Sequence, residues 1–237
     1  AAANEVNKCL EDTATVRPRG EKNWKMMTEE QGHGLAANFD MSKVDVDTND
    51  TVHVVYRGNE LQNNFASPKR LRYAKIKNNS ILTNIVISDK APETWFPWID
   101  VDSQLNYHAV WQSGEKIYYD SSLTTQIEIA KLKGSNVFSR PSISVDTQGN
   151  PHIVWADLDE NDKGLLKYRK GNNSDGTVKF ADPELVLANL SNSTAPNPQI
   201  RFPVIDTNKL AKDNDWEDKV FAGWLEVTDS NLIKFRR

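Results

Sequence analysis

A single cysteine, Cys9, in 237 residues excludes any disulfide within the chain and any cysteine-built zinc site. Cys9 reads as a free thiol, with a bond to a separate polypeptide as the alternative. No apolar run approaches the roughly 20 residues that a bilayer span requires, so no membrane span is expected. Neither sign of charge dominates: 29 Lys and Arg stand against 33 Asp and Glu, a formal net charge of −4. That balance argues against a nucleic-acid module built on a basic face. No Ser-His-Asp arrangement, phosphate loop or dinucleotide fingerprint is present. No signal peptide is visible, and Ala1-Ala2-Ala3 reads as a processing product or an added remnant. Five Asn-x-Ser/Thr sequons, at Asn49, Asn78, Asn172, Asn189 and Asn192, match what chance gives in an Asn-rich chain.

What the chain does have is a repeat. Hydrophobic residues make up 38% and charged residues 26%, enough to bury a core and keep a solvated surface. The stretch Arg140–Trp155 (RPSISVDTQGNPHIVW) reads as two short strands around a tight turn. Polar and apolar residues alternate before Asp146, Gly149 and Asn150 supply turn chemistry, and a β-rich run follows. Its copies are Ser42–Tyr56, Pro97–Trp111 and, more loosely, Pro203–Asp206 with Val220–Trp224. A third strand-like run follows each copy (71–76, 117–119, 166–169, 232–235), and a fourth follows three of them (81–88, 127–132, 184–190). The periodicity is that of strands and not of helices.

Four-stranded units of about 45 residues are the signature of propeller blades. The expected fold is all-β: a β-propeller with about four recognisable blades at 40–90, 91–135, 136–192 and 193–237, preceded by a tail over 1–23. The last unit stops at its third strand. Trp24–Thr28 is the candidate to pair there and close the ring, removing open edges; the alternative is that these blades belong to a larger propeller.

The pattern Pro-x-Ile-x-Val-Asp-x-x-Gly-Asn-x-His-x-Val-Trp followed by Ile/Leu-x-Tyr resembles blades of sialidase-like and lectin-like bacterial propellers, over roughly residues 24–237. The Asp-box of sialidases (Ser-x-Asp-x-Gly-x-x-Trp, between third and fourth strands) is absent, and the Asp-turn-Gly element lies between first and second strands instead. The resemblance implies a propeller that binds on the channel face into which the first strands open, and an extracellular, periplasmic or cell-surface location. It does not carry sialidase activity with it.

On that face the first strands begin at Asp40-Met41, Trp95-Phe96, Ser139-Arg140 and Arg201-Phe202. Arg140, Arg201, Trp95 and Asp40 are the candidate ligand residues. Arginine gives bidentate contacts to carboxylates, and an aromatic face packs on the apolar side of a sugar. Strand alternation places Trp98 between blades and leaves Trp95 at the mouth. The other reading is that these side chains cap the channel and pair with carboxylates.

Asp157, Asp159 and Asn161 stand at alternate positions, as at the start of a calcium loop. The run lacks the glycine at its sixth position and the glutamate at its twelfth, so a solvated acidic hairpin loop is preferred, with calcium as the alternative and no other cofactor expected. His53, His108 and His152 recur in register, as a hydrogen bond repeated in every blade would require, and not as a metal or catalytic group would. Tyr56, Trp111, Trp155 and Trp224 recur likewise and are expected in the cores between blades. The function expected is a non-enzymatic module that recognises a glycan or another surface ligand. A glycosidase, a polysaccharide lyase and an assembly scaffold joined to further blades or chains are the alternatives.

Overall fold

The computed structural model describes residues 39–58, 70–88, 93–134, 138–207, 219–228 and 231–236. The tail over 1–23 and the Trp24–Thr28 strand lie outside the described residues. The rest is all-β. The first sheet runs β1 (Phe39–Val46), β2 (Val52–Gly58), β3 (Arg70–Lys77) and β4 (Ser80–Val86); the second runs β5 (Trp95–Val101), β6 (Tyr107–Ser113), β7 (Lys116–Ser121) and β8 (Ile127–Lys131). The third consists of β9 (Ser142–Val145), β10 (Pro151–Leu158), β11 (Gly164–Lys170) and β14 (Leu185–Asn189), with a hairpin of β12 (Asn172–Ser174) and β13 (Thr177–Lys179) inserted. The fourth has three strands among the described residues, β15 (Gln199–Thr207), β16 (Val220–Val227) and β17 (Asn231–Arg236). Pairing within each sheet is antiparallel between neighbours. The sequence units thus match the sheets strand for strand. The inserted hairpin was not anticipated, because its strands are polar and only Val178 is buried. Asp175-Gly176, both at positive φ, is the turn pair that marks it.

Adjacent sheets pack face to face, and each junction has its own apolar core. Val55, Leu71 and Ile87 of the first sheet meet Ile99, Ala109 and Trp111 of the second. Val110, Ile117 and Ile129 of the second meet Ile143, Ile153 and Trp155 of the third. Val154, Leu166 and Leu190 of the third meet Ile205, Ala222 and Trp224 of the fourth. The recurring tryptophans therefore each belong to a successive junction. Trp111 and Trp155 are fully buried, and truncating either to alanine is expected to cost about 3–5 kcal/mol.

Side-chain acceptors on the first strands tie each sheet to the next. The Val101 amide donates to Asp45 Oδ2 at 2.8 Å, the Val145 amide donates to Asp100 Oδ2 at 2.6 Å, and the Thr207 amide donates to Ser144 Oγ at 3.1 Å. Asp45, Asp100 and Ser144 occupy the same register position in consecutive sheets. Burial, and then the neighbouring Asp100 carboxylate, push the Asp45 carboxyl above its usual value despite the bonds from the Val46 and Val101 amides.

In the first three sheets the turn between first and second strands is built on one buried aspartate. Asp47 Oδ1 accepts from the Asn49 and Thr51 amides, Asp102 Oδ1 from Gln104 and Asn106, and Asp146 Oδ1 from Gln148 and Asn150. The other carboxylate oxygen faces the repeated histidine: Asp47 to His53 Nε2 at 3.1 Å, Asp102 to His108 at 3.3 Å, Asp146 to His152 at 3.1 Å. The far ring nitrogen meets a tyrosine hydroxyl from the third strand, Tyr73, Tyr119 or Tyr168, at 2.8, 2.7 and 2.7 Å. An ionised carboxylate only accepts, so Nε2 carries the proton toward it and the tyrosine hydroxyl donates to Nδ1. Burial would raise the Asp47 carboxyl, but the bonds from His53 and the Thr51 and Asn49 amides outweigh it and hold it at about 2. Asp102 and Asp146 are lowered for the same reasons. The histidines are structural groups within this buried network.

Candidate functional site

The first strands of all four sheets open into one cavity of about 400 Å³, lined by Met41, Ser42, Lys43, Phe96, Pro97, Trp98, Arg140, Pro141, Phe202, Pro203 and Val204. That volume is within the range of small-molecule sites. One residue of each sheet stands at the same place with a left-handed backbone: Met41 at φ 48°, Phe96 at 52°, Arg140 at 45° and Phe202 at 51°. In the first, second and fourth sheets the pairing register breaks across this residue, between Asp40 and Lys43, Trp95 and Trp98, and Arg201 and Val204. These are β-bulges, which re-aim a side chain at the edge of a sheet. Three of the four residues precede a proline, which disfavours helical backbone at that position. Left-handed backbone at a non-glycine residue stores roughly 1–2 kcal/mol each, and strain of this kind clusters at ligand sites.

Arg140 lines the cavity between two rings. Its guanidinium carbon lies 4.1 Å from the Phe202 ring centroid and 5.2 Å from that of Phe96, so the cation is held between rings of the two neighbouring sheets. Phe138 meets Phe96 edge to face at 5.9 Å and is 69% exposed, while Phe202 is 51% exposed. Ser139 fixes the approach to Arg140: its amide and hydroxyl both donate to Gln112 Oε1, at 3.0 and 2.9 Å, from full burial. Across the cavity, Lys43 Nζ sits 4.0 Å above the Trp98 ring.

Of the residues expected at the mouth, the structure brings Arg140 into the described lining. Arg201 is exposed and folds back on Gln199, donating from Nε and Nη2 to its Oε1 at 2.9 and 2.7 Å. Trp95 lies under the Arg57 guanidinium at 3.8 Å. Asp40 pairs opposite Arg57 in β1, and its side chain lies outside the described residues. Arg201 and Trp95 precede the left-handed residue by one position, whereas Arg140 is that residue. The bulge inserts one residue and reverses the alternation beyond it, which brings Trp98 into the described lining. Phe96, Phe202, Met41, Lys43 and Trp98 were not among the expected residues. For Phe96 and Phe202 the signal is the large residue before proline, aligned with Arg140-Pro141.

The acidic loop is a tight turn. Asp159 Oδ1 accepts from the Asn161 and Lys163 amides and its other oxygen from Ser191. Asp157 is buried, with Lys167 Nζ 2.8 Å from its Oδ2 and the Leu158 and Lys133 amides on its Oδ1. Asn161 contributes its amide to the turn. Among the described residues no group of three His, Cys, Asp or Glu side chains is placed to hold a metal ion.

No family model matches the chain, and no curated protein matches it. Solved structures do. A protein of unknown function from Dyadobacter fermentans superposes with a TM-score of 0.53 at 11% identity, over 84% of this chain and 65% of that one. An endo-arabinase from Bacteroides thetaiotaomicron has a TM-score of 0.44 at 15% identity, over 85% of this chain and 75% of that one. A fucose lectin from Kordia zhangzhouensis, solved with methyl-fucoside, has 0.38 at 11% identity, over 62% of this chain and 97% of that one. The first of these bears on the fold, and this chain spans 65% of that neighbour's length.

Proposed function

We propose that this chain is a binding module for a carbohydrate, taken at the mouth where the first strands of the four sheets meet. The observation that carries the reading is Arg140, held by stacking between Phe96 and Phe202 in a cavity shared by all four sheets. Exposed ring faces and a forked donor are what a sugar needs: apolar C–H faces pack on the rings, while hydroxyl or carboxylate oxygens accept from the guanidinium. A glycosidase would need two carboxylates across the cavity. The described lining offers cations and rings but no acid, and Asp45 and Asp100 already accept amides of the next sheet. Binding without turnover is therefore the reading adopted. A glycan array followed by calorimetry tests it: at least one sugar class binds, and Phe202→Ala weakens that binding about tenfold while leaving the melting temperature near that of the parent. Failure of every sugar class to bind the folded protein would refute it.

A further inference from the structure

We propose that the ligand of this mouth is an anionic oligosaccharide, one acidic group seated on Arg140 and another on Lys43; the proposal rests on the binding reading above. The two cations belong to the first and third sheets and face one cavity, and no described lining residue is acidic. Neither makes a hydrogen bond or an ion pair with any described residue. Several cations elsewhere have acceptors. Lys116 pairs with Glu128, Lys133 with Asp162, and Lys167 with Asp157 and Glu184, while Arg169 and Arg236 donate to backbone carbonyls. Only at the mouth are described cations laid on aromatic rings in place of acceptors: Arg140 on Phe202 and Phe96, Lys43 on Trp98.

Stacking uses the face of a guanidinium and leaves its in-plane N–H donors for a partner. Those donors match the two oxygens of a carboxylate or sulfate. The lysine supplies a point charge on a flexible stem. A neutral sugar would leave both charges without counter-charge. The chain is acidic overall, at −4, so the two cations form a local feature against a repelling background. Anionic groups on successive sugar units, with apolar faces lying on the Phe202 and Trp98 rings, satisfy both cations and both rings together.

Calorimetry with three probes decides between sources: trigalacturonate, its fully methyl-esterified form, and a sulfated carrageenan tetrasaccharide, each at low and high salt. An anionic probe is expected to bind, with affinity falling as salt rises, and the ester to bind at least tenfold more weakly than the free acid. Arg140→Gln is expected to lose on the order of ten- to a hundredfold, as for a charge-assisted hydrogen bond, and Arg140→Lys to recover part of it. Lys43→Gln, at an exposed position, is expected to lose severalfold without affecting folding, so the test stands even if Arg140 variants misfold. Binding of the sulfated probe alone assigns the anion as sulfate. Equal binding of acid and ester overturns the anionic ligand while leaving carbohydrate binding in place. Silence from all three probes, together with binding of a neutral sugar on the array, overturns it as well; silence from every sugar removes both.

Discussion

Replacing His53 by Phe tests the claim that the repeated histidines are structural. The fourth sheet already carries Phe221 at the equivalent position, paired with Asp206 as His53 is with Asp45, so the ring fits the register. In the first sheet the substitution removes the imidazole from between two buried groups. Asp47 loses a charge-assisted bond worth about 1.5–3 kcal/mol, and the Tyr73 hydroxyl is left unpaired at about 1–3 kcal/mol. Tyr73 is held against Tyr107 at 3.9 Å between ring centroids, so its hydroxyl does not swing readily to water. Asp47 keeps the Asn49 and Thr51 amides, which places the total near the middle of the sum, roughly 4 kcal/mol. Urea unfolding followed by tryptophan fluorescence measures it. The second variant, His53→Phe with Tyr73→Phe, removes the orphaned hydroxyl and is expected to recover about 1–3 kcal/mol. The acid limb supplies a separate check. Asp47 titrates at about 2 instead of 3.8, so the stability it adds is complete above the ordinary carboxylate range and lost as pH falls toward 2. Without His53 the carboxyl rises, and the gap between parent and variant narrows with acid. A single variant within 1 kcal/mol of the parent, or a double variant no more stable than the single, would refute the reasoning.

Three further outcomes follow from the packing. Gly164→Ala would place a Cβ 2.6 Å from the Ile200 amide nitrogen and 2.9 Å from the Gln199 carbonyl carbon; backbone must move, and a loss of about 1–3 kcal/mol in urea melts is expected. Met41→Gly relieves left-handed strain of about 1–2 kcal/mol against a glycine entropy cost of about 0.5–1 kcal/mol, so a neutral to slightly more stable protein is expected from the melting temperature, where glycine in an ordinary strand would destabilise. Asp45→Asn removes a carboxyl raised by burial and by Asp100. The stability tied to that raised value is present at low pH and lost as pH rises through it, so the variant should gain on the parent with rising pH in a series of melts.

The repeat, the strand order within each sheet and the inter-blade role of Trp111, Trp155 and Trp224 were legible because alternation and periodicity write burial directly into sequence. So was the structural role of His53, His108 and His152, since a group needed once per sheet recurs once per sheet. The mouth was only half legible. Arg140 is marked by its place at the entry to a first strand, while Trp98 reaches the described lining because a bulge adds a residue that alternation does not count. Arg201 stands out in sequence for its charge, and its guanidinium finds Gln199 two residues away, a local bond that charge alone does not announce. An aspartate that caps a turn and one that binds calcium share the same spacing, so the acidic loop reads both ways in sequence.

The left-handed residues have a consequence for how such a protein diversifies. Met41, Phe96, Arg140 and Phe202 share one positive φ within a few degrees yet differ in size, charge and shape. The backbone conformation is therefore held by the surrounding sheet and not by the side chain that occupies it. Each sheet presents one interchangeable socket to a common chamber, insulated from the buried aspartate–histidine–tyrosine networks. Exchanging these four side chains among sheets would thus change the lining of the chamber while leaving the backbone that carries them as it is.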